Sequence, residues 1–517
     1  MEGEMEIGGQ EHFYMEPQVT RCVPKENGEI DVFSSTQSPK FMQDGVGKAL
    51  GIPFSKTNIN VKRLGGGFGG KSRKPMLSGV PAAVAANKFR VPVRCTLERK
   101  EDMVITGGRD PALIKYKVGY NKDGRIKTLD AEIYTDAGCT LDLAILIVQK
   151  AMYHLENCYN IENMRVKGWA CKTNHPSNTA CRALAAPHAV LVIEHILEEI
   201  SAKLNIPRHV IQQLNFCREG HTTVYGQVVS NCTLERCYNQ VVSDSDFVNR
   251  QQAVKQFNLI DKVHLQDVST VTVPNSTVTA ASVNTDINGG AVLNACEKLN
   301  KRLEAFKQKM PNASWEEWVT SAYVERVSLS AQGFYSTPGL VPIDWSTSKG
   351  SPYQYYVFGA AVSEVEIDCL TGHHQVLRTD VVMDAGVSIN PAIDVGQIEG
   401  AFIQGYGLYC LEELQFDESG VMTTVGPATY KIPLVDNIPR EFNVSLLKNS
   451  SNPGNVASSK GVGEAPLPLA VSIFMAIKSA VRSARKASGK DESFTFSSPC
   501  TPERIRMSCA DQFIATA

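Results

Sequence analysis

The chain has 517 residues, 43% of them hydrophobic and 21% charged, with 39 Gly and 25 Pro. That composition belongs to a folded globular protein with room for about three or four domain-sized units, and it excludes collagen-like, fibrous and disordered classes. Lys+Arg 52 against Asp+Glu 54 leaves a net charge of −2 with no long run of one sign, so a nucleic-acid or membrane-surface partner has no electrostatic support. No apolar stretch approaches the ~20 residues that span a bilayer. The acidic start, Met1-Glu-Gly-Glu-Met-Glu-Ile7, lacks the basic and apolar regions of a signal peptide, and the expected location is the cytosol. The 14 Cys contain no C-x-x-C pair, which leaves structural zinc and Cys-held clusters without their usual spacing.

In chain order, the first clear element is a strand over Ile59–Leu64, running into Gly65-Gly-Gly-Phe-Gly-Gly-Lys-Ser72. Two alternating runs over 112–135, joined at Asn121-Lys-Asp-Gly124, predict a β-hairpin. Pro187 opens a helix with Ile193, Ile196, Leu197, Ile200 and Leu204 on one face, and a second helix is expected near 292–309. Residues 359–385 predict another hairpin turning at Thr371-Gly372, and 466–487 a helix ending before Gly489. Strands and helices mix without strict βαβ alternation, which gives an α+β class. Around 245–275 a polar run leads abruptly to Ile260-Asp-Lys-Val-His264 and suits a linker.

Three motifs carry chemistry. The glycines of 65–70 permit positive φ and close backbone approach, so several N–H groups can converge on an anionic cofactor. Taken literally, Gly65 to Ser72 also fits a P-loop, but Pro75 and Pro81 interrupt the helix that should receive the phosphates, and Asp384, the best magnesium carboxylate, sits on a hairpin arm. Arg182, ending Thr173-Asn-His-Pro-Ser-Asn-Thr-Ala-Cys-Arg182, suits either a bidentate anion contact or a surface salt bridge. In Ser458-Ser-Lys-Gly-Val-Gly-Glu464, a glycine loop delivers one carboxylate ahead of an apolar helix. That Glu is either a first-turn charge favoured by the helix dipole or, in a closed apolar pocket, a general base. Gln37 and Gln404 are uncharged donor–acceptor groups bordered by small residues, and the ten His form no metal spacing.

Together these motifs resemble the molybdenum-cofactor portion of the xanthine dehydrogenase / aldehyde oxidase family of molybdenum hydroxylases. The resemblance runs from Gly8-Gly-Gln-Glu-His-Phe-Tyr-Met-Glu16 almost to the C-terminus. It takes in Gly65–Lys71, Ser177-Asn-Thr-Ala180, Thr279-Ala-Ala-Ser282, Ser363–Asp368, Ile389-Asn-Pro-Ala-Ile393 and Lys460–Glu464. Thr272-Val-Pro-Asn275 and Gly463-Glu-x-Pro-Leu467 look closer to xanthine dehydrogenases. The resemblance implies two elongated mixed α/β cofactor-binding domains with hairpins and packed helices, residues 1–245 and 246–517, the first incomplete at its start. It implies a molybdenum–molybdopterin cofactor, its metal held by the pterin rather than by side chains, and a homodimer. Substrates would be purines, N-heterocycles or aldehydes. Gly66, Gly67, Phe68 and Gly69 would line the cofactor and Arg182 contact it. Ala281 and Ser282 would cradle the pterin end, and Gln37 and Gln404 would hydrogen-bond near the metal. Glu464 would be the general base of an oxidative hydroxylation with water as oxygen source.

The sequence also departs from the family. Iron–sulfur and FAD domains, expected for the family, are missing, so electrons would have no internal exit. A module carrying a further cofactor loop is absent near 257–262. In the substrate pocket, Ser72 replaces a Glu, Lys150 an Arg, and Leu184 an aromatic residue. A Lys keeps the charge and loses the planar fork. Family glycines become Ala183, Ala185 and Ala186, for which positive φ is strained. These changes favour a hydroxylase portion inactive by itself, with a catalytically silent remnant that at most dimerises as the alternative, and a P-loop-like nucleotide binder as the remote one.

Overall fold

The computed structural model describes residues 1–246, 268–269 and 277–510. The junction at 257–262 and the stretch Thr272–Asn275 lie outside the described residues. The predicted hairpin over 112–135 forms as Ala112–Tyr120 and Ile126–Gly138, antiparallel, with Gly124 at φ 93° in the turn. Ala112, Ile114, Tyr116 and Val118 are buried while Lys115 and Lys117 face water, as period-2 patterning requires. Glu2–Ile7 joins this pair antiparallel on one side and Asn163–Lys172 joins it parallel on the other, completing a four-stranded sheet. A second sheet sets Val93–Thr96, Val19–Pro24, Ile30–Ser34 and Thr57–Val61 side by side, with Val268–Ser269 at its edge. The hairpin Gly359–Ile367/His374–Met383 turns at Gly372, φ 73°, and takes Glu441–Leu446 as a parallel third strand.

The helix after Pro187 spans Ala186–Leu204, and its burial exceeds what its pattern predicts. Every residue from Ala186 to Glu198 is buried, not one face alone. Each fully buried Leu or Ile stabilises by roughly 1.5–3 kcal/mol, which offsets the cost of taking four polar groups inside. Three of them are paired: Glu194 accepts from Tyr159, Arg208 and Gln212, His195 lies 2.7 Å from Lys478 Nζ, and Glu198 pairs with Arg482. The fourth, His188, is buried with neither ring nitrogen hydrogen-bonded. Lys478 and Arg482 belong to Leu467–Ala487, which corrects the expectation that no stretch approaches a bilayer span: it is the one helix among the described residues long and apolar enough to cross one. Here that helix packs into the core, with Ile473, Phe474, Ile477 and Val481 fully covered. The other expected helix runs from Asn284 to Lys309.

The largest hydrophobic core draws on both halves of the sequence, from Met5 and Ile7 through the Ala186–Leu204 helix to Ile505 and Cys509. Near the termini the Gly8 N–H donates to the Ser498 carbonyl at 2.9 Å. The mixed helices and sheets agree with an α+β class.

Candidate functional site

Four loops meet on one side of this core. The glycine loop follows Thr57–Val61 and precedes the helix Met76–Phe89. Its Gly66 and Gly69 take φ of 88° and 105°, and a Cβ at Gly69 would overlap the Ala180 carbonyl. The Phe68 carbonyl accepts from the Arg182 N–H at 2.8 Å. Arg182 then reaches across, its Nε donating to the Gly463 carbonyl and its Nη2 to the Gln397 carbonyl (3.1 Å) and Oε1 (3.0 Å). Gly461 and Gly463 lie so close to Ser282 that a Cβ on either would stand 2.5 Å from its carbonyl oxygen or 2.6 Å from its Oγ. Gln37 closes the ring: its Oε1 accepts from Gly69 N–H (2.9 Å) and Lys71 N–H (3.2 Å), and its Nε2 donates to the Thr279 carbonyl (2.8 Å). Residues hundreds of positions apart are thus held within one or two contacts of each other.

The Glu464 loop is pinned from below by charge. Lys460 Nζ sits 2.7 Å from Asp384 Oδ2, both side chains buried, and Thr233 and Ser450 hydroxyls donate to the same carboxylate. Burial alone would raise the Asp384 pKa, but the hydrogen bonds from Lys460, Ser450 and Thr233 hold it below the usual carboxylate range. Asp384 therefore serves the loop and is not free for magnesium. Lys71, the other P-loop element, is fully buried and paired with Glu16 at 2.8 Å beneath the Tyr14 ring.

A cavity of about 490 Å³ opens beside this ring, and Lys150, Ala281, Ser282 and Glu464 line it. Glu464 faces two cations. Burial lowers the Lys150 pKa, and it pushes Arg182 down to about 10; the Glu464 charge works against both shifts. Gln37, Gly66, Gly67, Phe68, Gly69 and Arg182 stand behind the lining. Gln404 lies on the helix Pro391–Tyr406, whose Gly405 abuts Leu467; its Oε1 is buried without a partner. Ser72 and Leu184 do not line the cavity: Ser72 is buried, its N–H donating to the Gly69 carbonyl, and the Leu184 carbonyl accepts from Arg109.

The expected strain at the alanines is corrected in part. Ala183 does take φ 67°, joined by Leu184 at 51°, but Ala185 has φ −101° and Ala186 begins the helix, so neither needs glycine. The cavity also contains residues that no sequence motif marked. Glu156 is 3% exposed, and burial raises its carboxyl to about 8. Tyr353 and Tyr355 complete the wall, the first 3.4 Å from Lys150 Nζ and the second donating to Asp286 at 2.7 Å. Scattered single residues like these have no spacing that could have revealed them.

No group of three His, Cys, Asp or Glu that could hold a metal occurs among the described residues. The site offers instead an orphaned Gln404 amide oxygen, a glycine-walled cradle and a half-buried guanidinium. That donor set fits an anionic organic cofactor that carries its own metal ligands.

Two family models match, each described as a molybdopterin cofactor-binding domain, over residues 1–216 and 244–439. Xanthine dehydrogenase/oxidase of Felis catus is 43% identical over 583 aligned positions, taking in 99% of this chain and 44% of that protein. Aldehyde oxidase 3 of Mus musculus is also 43% identical, with the same coverage. The chain spans less than half the length of these relatives. An alignment of 583 positions exceeds a chain of 517 residues, so the cat protein has residues inside the matched span with no counterpart here. Among solved structures, aldehyde oxidoreductase from Desulfovibrio gigas superposes with a TM-score of 0.84 at 21% identity, covering 98% of this chain and 61% of that one. Quinoline 2-oxidoreductase from Pseudomonas putida 86 gives 0.84 at 17% identity, with 98% and 76% covered. At those identities the likeness is one of fold.

Proposed function

Because this chain belongs to the xanthine dehydrogenase / aldehyde oxidase family and spans its molybdopterin-binding portion, we propose that the four-loop ring holds a molybdenum–molybdopterin cofactor beside a cavity where Glu464 accepts a proton during oxidative hydroxylation. The carrying observation is that Arg182 bonds the Phe68 carbonyl with its backbone and the Gly463 carbonyl with its side chain, which brings Glu464 to the glycine loop. When bound, the cofactor supplies the two-electron redox chemistry and an activated water oxygen. The protein's share is positional. Gly66 to Gly69 leave room for close backbone approach, Ala281 and Ser282 wall the cavity, and Gln404 offers its unpartnered Oε1. Lys150 shares the cavity wall with Glu464 and Arg182 binds the adjacent Gly463 carbonyl, so two cations flank the carboxylate that would accept the proton.

Purines, N-heterocycles or aldehydes are the substrates this reading includes, in a cytosolic homodimer. Iron–sulfur and FAD groups beyond the molybdopterin-binding portion would carry electrons onward. The residues of the cat protein without a counterpart here support the absence of a module near 257–262, and positive φ at Ala183 and Leu184 favours the silent-remnant reading. One experiment separates the two. The full chain, purified from a host that makes the cofactor, is assayed for molybdenum and pterin, then for dye reduction with xanthine or an aldehyde. Bound pterin is expected from a chain inactive by itself, and dye reduction that is lost in Glu464→Gln would end the silent-remnant reading. No pterin ends the cofactor reading.

A further inference from the structure

We propose that Cys217 and Cys232 form a thiol-oxidation site, closing a reversible disulfide at the base of the loop 218–231 that walls the cavity. Cys232 Sγ lies 3.9 Å from the Cys217 carbonyl oxygen, and the two thiols are near enough for each to shift the other's pKa. A separate clamp holds the loop ends together. Glu219 accepts from the Asn231 N–H at 3.1 Å and the Cys232 N–H at 2.7 Å, which holds the two ends of the loop beside each other. Between them the loop folds tightly, Gly220 N–H donating to the Val229 carbonyl and Val229 N–H to the His221 carbonyl. His221, Thr223, Tyr225 and Val229 then line the cavity. The inference does not depend on the cofactor reading.

Exposure sets the order of events. Cys217 is buried and Cys232 partly open. The hydrogen bond from Cys217 lowers the Cys232 pKa, and the same contact, with burial, raises that of Cys217. With a small disulfide such as glutathione disulfide as oxidant, the Cys232 thiolate attacks one sulfur and expels one glutathione thiolate. Cys217 then attacks the mixed disulfide at the Cys232 sulfur, loses its proton, and releases the second glutathione. Two protein thiols become one disulfide, and glutathione disulfide takes up the two electrons and two protons as two thiols. Cys158 is the competing partner: its carbonyl accepts from the Cys217 N–H at 2.9 Å, but burial raises its thiol pKa.

Trypsin separates all three, because Arg165, Arg208, Arg218 and Arg236 place Cys158, Cys217 and Cys232 in different peptides. The folded full chain is incubated with glutathione disulfide, its remaining thiols are alkylated, and the digest is read by mass. Peptide 209–218 joined to 219–236, released by dithiothreitol, is expected. Cys217→Ser should instead retain glutathione on Cys232, since the resolving thiol is gone, and Cys232→Ser should show neither product. Exposed Cys139 and Cys296 report that the oxidant acted. Glutathione on those two with no 217–232 link, or a link from Cys217 to Cys158, overturns the proposal.

Discussion

The Gly65–Gly70 loop and the Arg182–Ala186 segment touch each other and solve the same geometric problem with opposite residues. Both must turn sharply beside the cavity. The first places glycine at φ 88° and 105°, where the absence of a Cβ removes the penalty, and sets one side chain, Phe68 at 53°, between them. The second places Ala183 and Leu184 at 67° and 51°, where each Cβ costs roughly 1–2 kcal/mol. The strained segment persists because its neighbours over-determine it: Arg109 donates to the carbonyls of Arg182 and Leu184, and Arg182 N–H is tied to Phe68. An unusual backbone can therefore be held by residue choice or by its surroundings, and the two respond differently to mutation.

The largest effect is expected in the Lys460–Glu464 loop, which Arg182 reaches and which charge, not backbone freedom, fixes. Asp384→Ala leaves Lys460 buried and unpaired and should cost about 3–5 kcal/mol in a urea melt. The same pair gives a pH signature. Because the folded Asp384 pKa is depressed, its contribution is complete above the unfolded value of ~3.9 and is lost as pH falls through the lower folded value. Asp384→Asn should flatten that acid limb of the stability curve. Next comes Gly69→Ala, which combines a forbidden φ with overlap on the Ala180 carbonyl; about 2–4 kcal/mol is expected, together with loss of pterin retention on gel filtration. The smallest effect has the opposite sign. Ala183→Gly relieves strain that the surroundings maintain and should stabilise by about 1 kcal/mol by thermal melt. A destabilising Ala183→Gly would break the comparison, since it would show that Ala183 is not strained.

Elements with a local period were legible in the sequence. The hairpins over 112–135 and 359–385 announced themselves through alternation and a turn glycine, and the helices at 186–204 and 467–487 through their apolar spacing; of 284–309 only the Lys/Arg-rich part near 292–309 was visible. Parallel pairings were not legible. His374–Met383 against Glu441–Leu446 depends on packing between distant segments, and nothing in either strand encodes its register. Burial on all sides of Ala186–Leu204 escaped notice because Glu194, His195 and Glu198 look like a solvated face until Arg208, Lys478 and Arg482 arrive from elsewhere. At the site, loops with several short-range signals were visible, as Gly65–Gly70 and Lys460–Glu464 show. Glu156 carries meaning only through the cavity around it.

The contact between Gly8 and Ser498 bears on how the molecule is made. The opening strand Glu2–Ile7 can pair with Ala112–Tyr120 early, yet Ile7 borders Ser498 and shares a core with Ile505. On the ribosome that seam stays unsealed until Ser498 and Ile505 emerge, leaving the apolar surface around Ile7 bare while the residues between are made. Chaperone demand should therefore track the arrival of that segment, and removing the helix Pro502–Cys509 should harm Glu2–Ile7 more than sequence distance suggests.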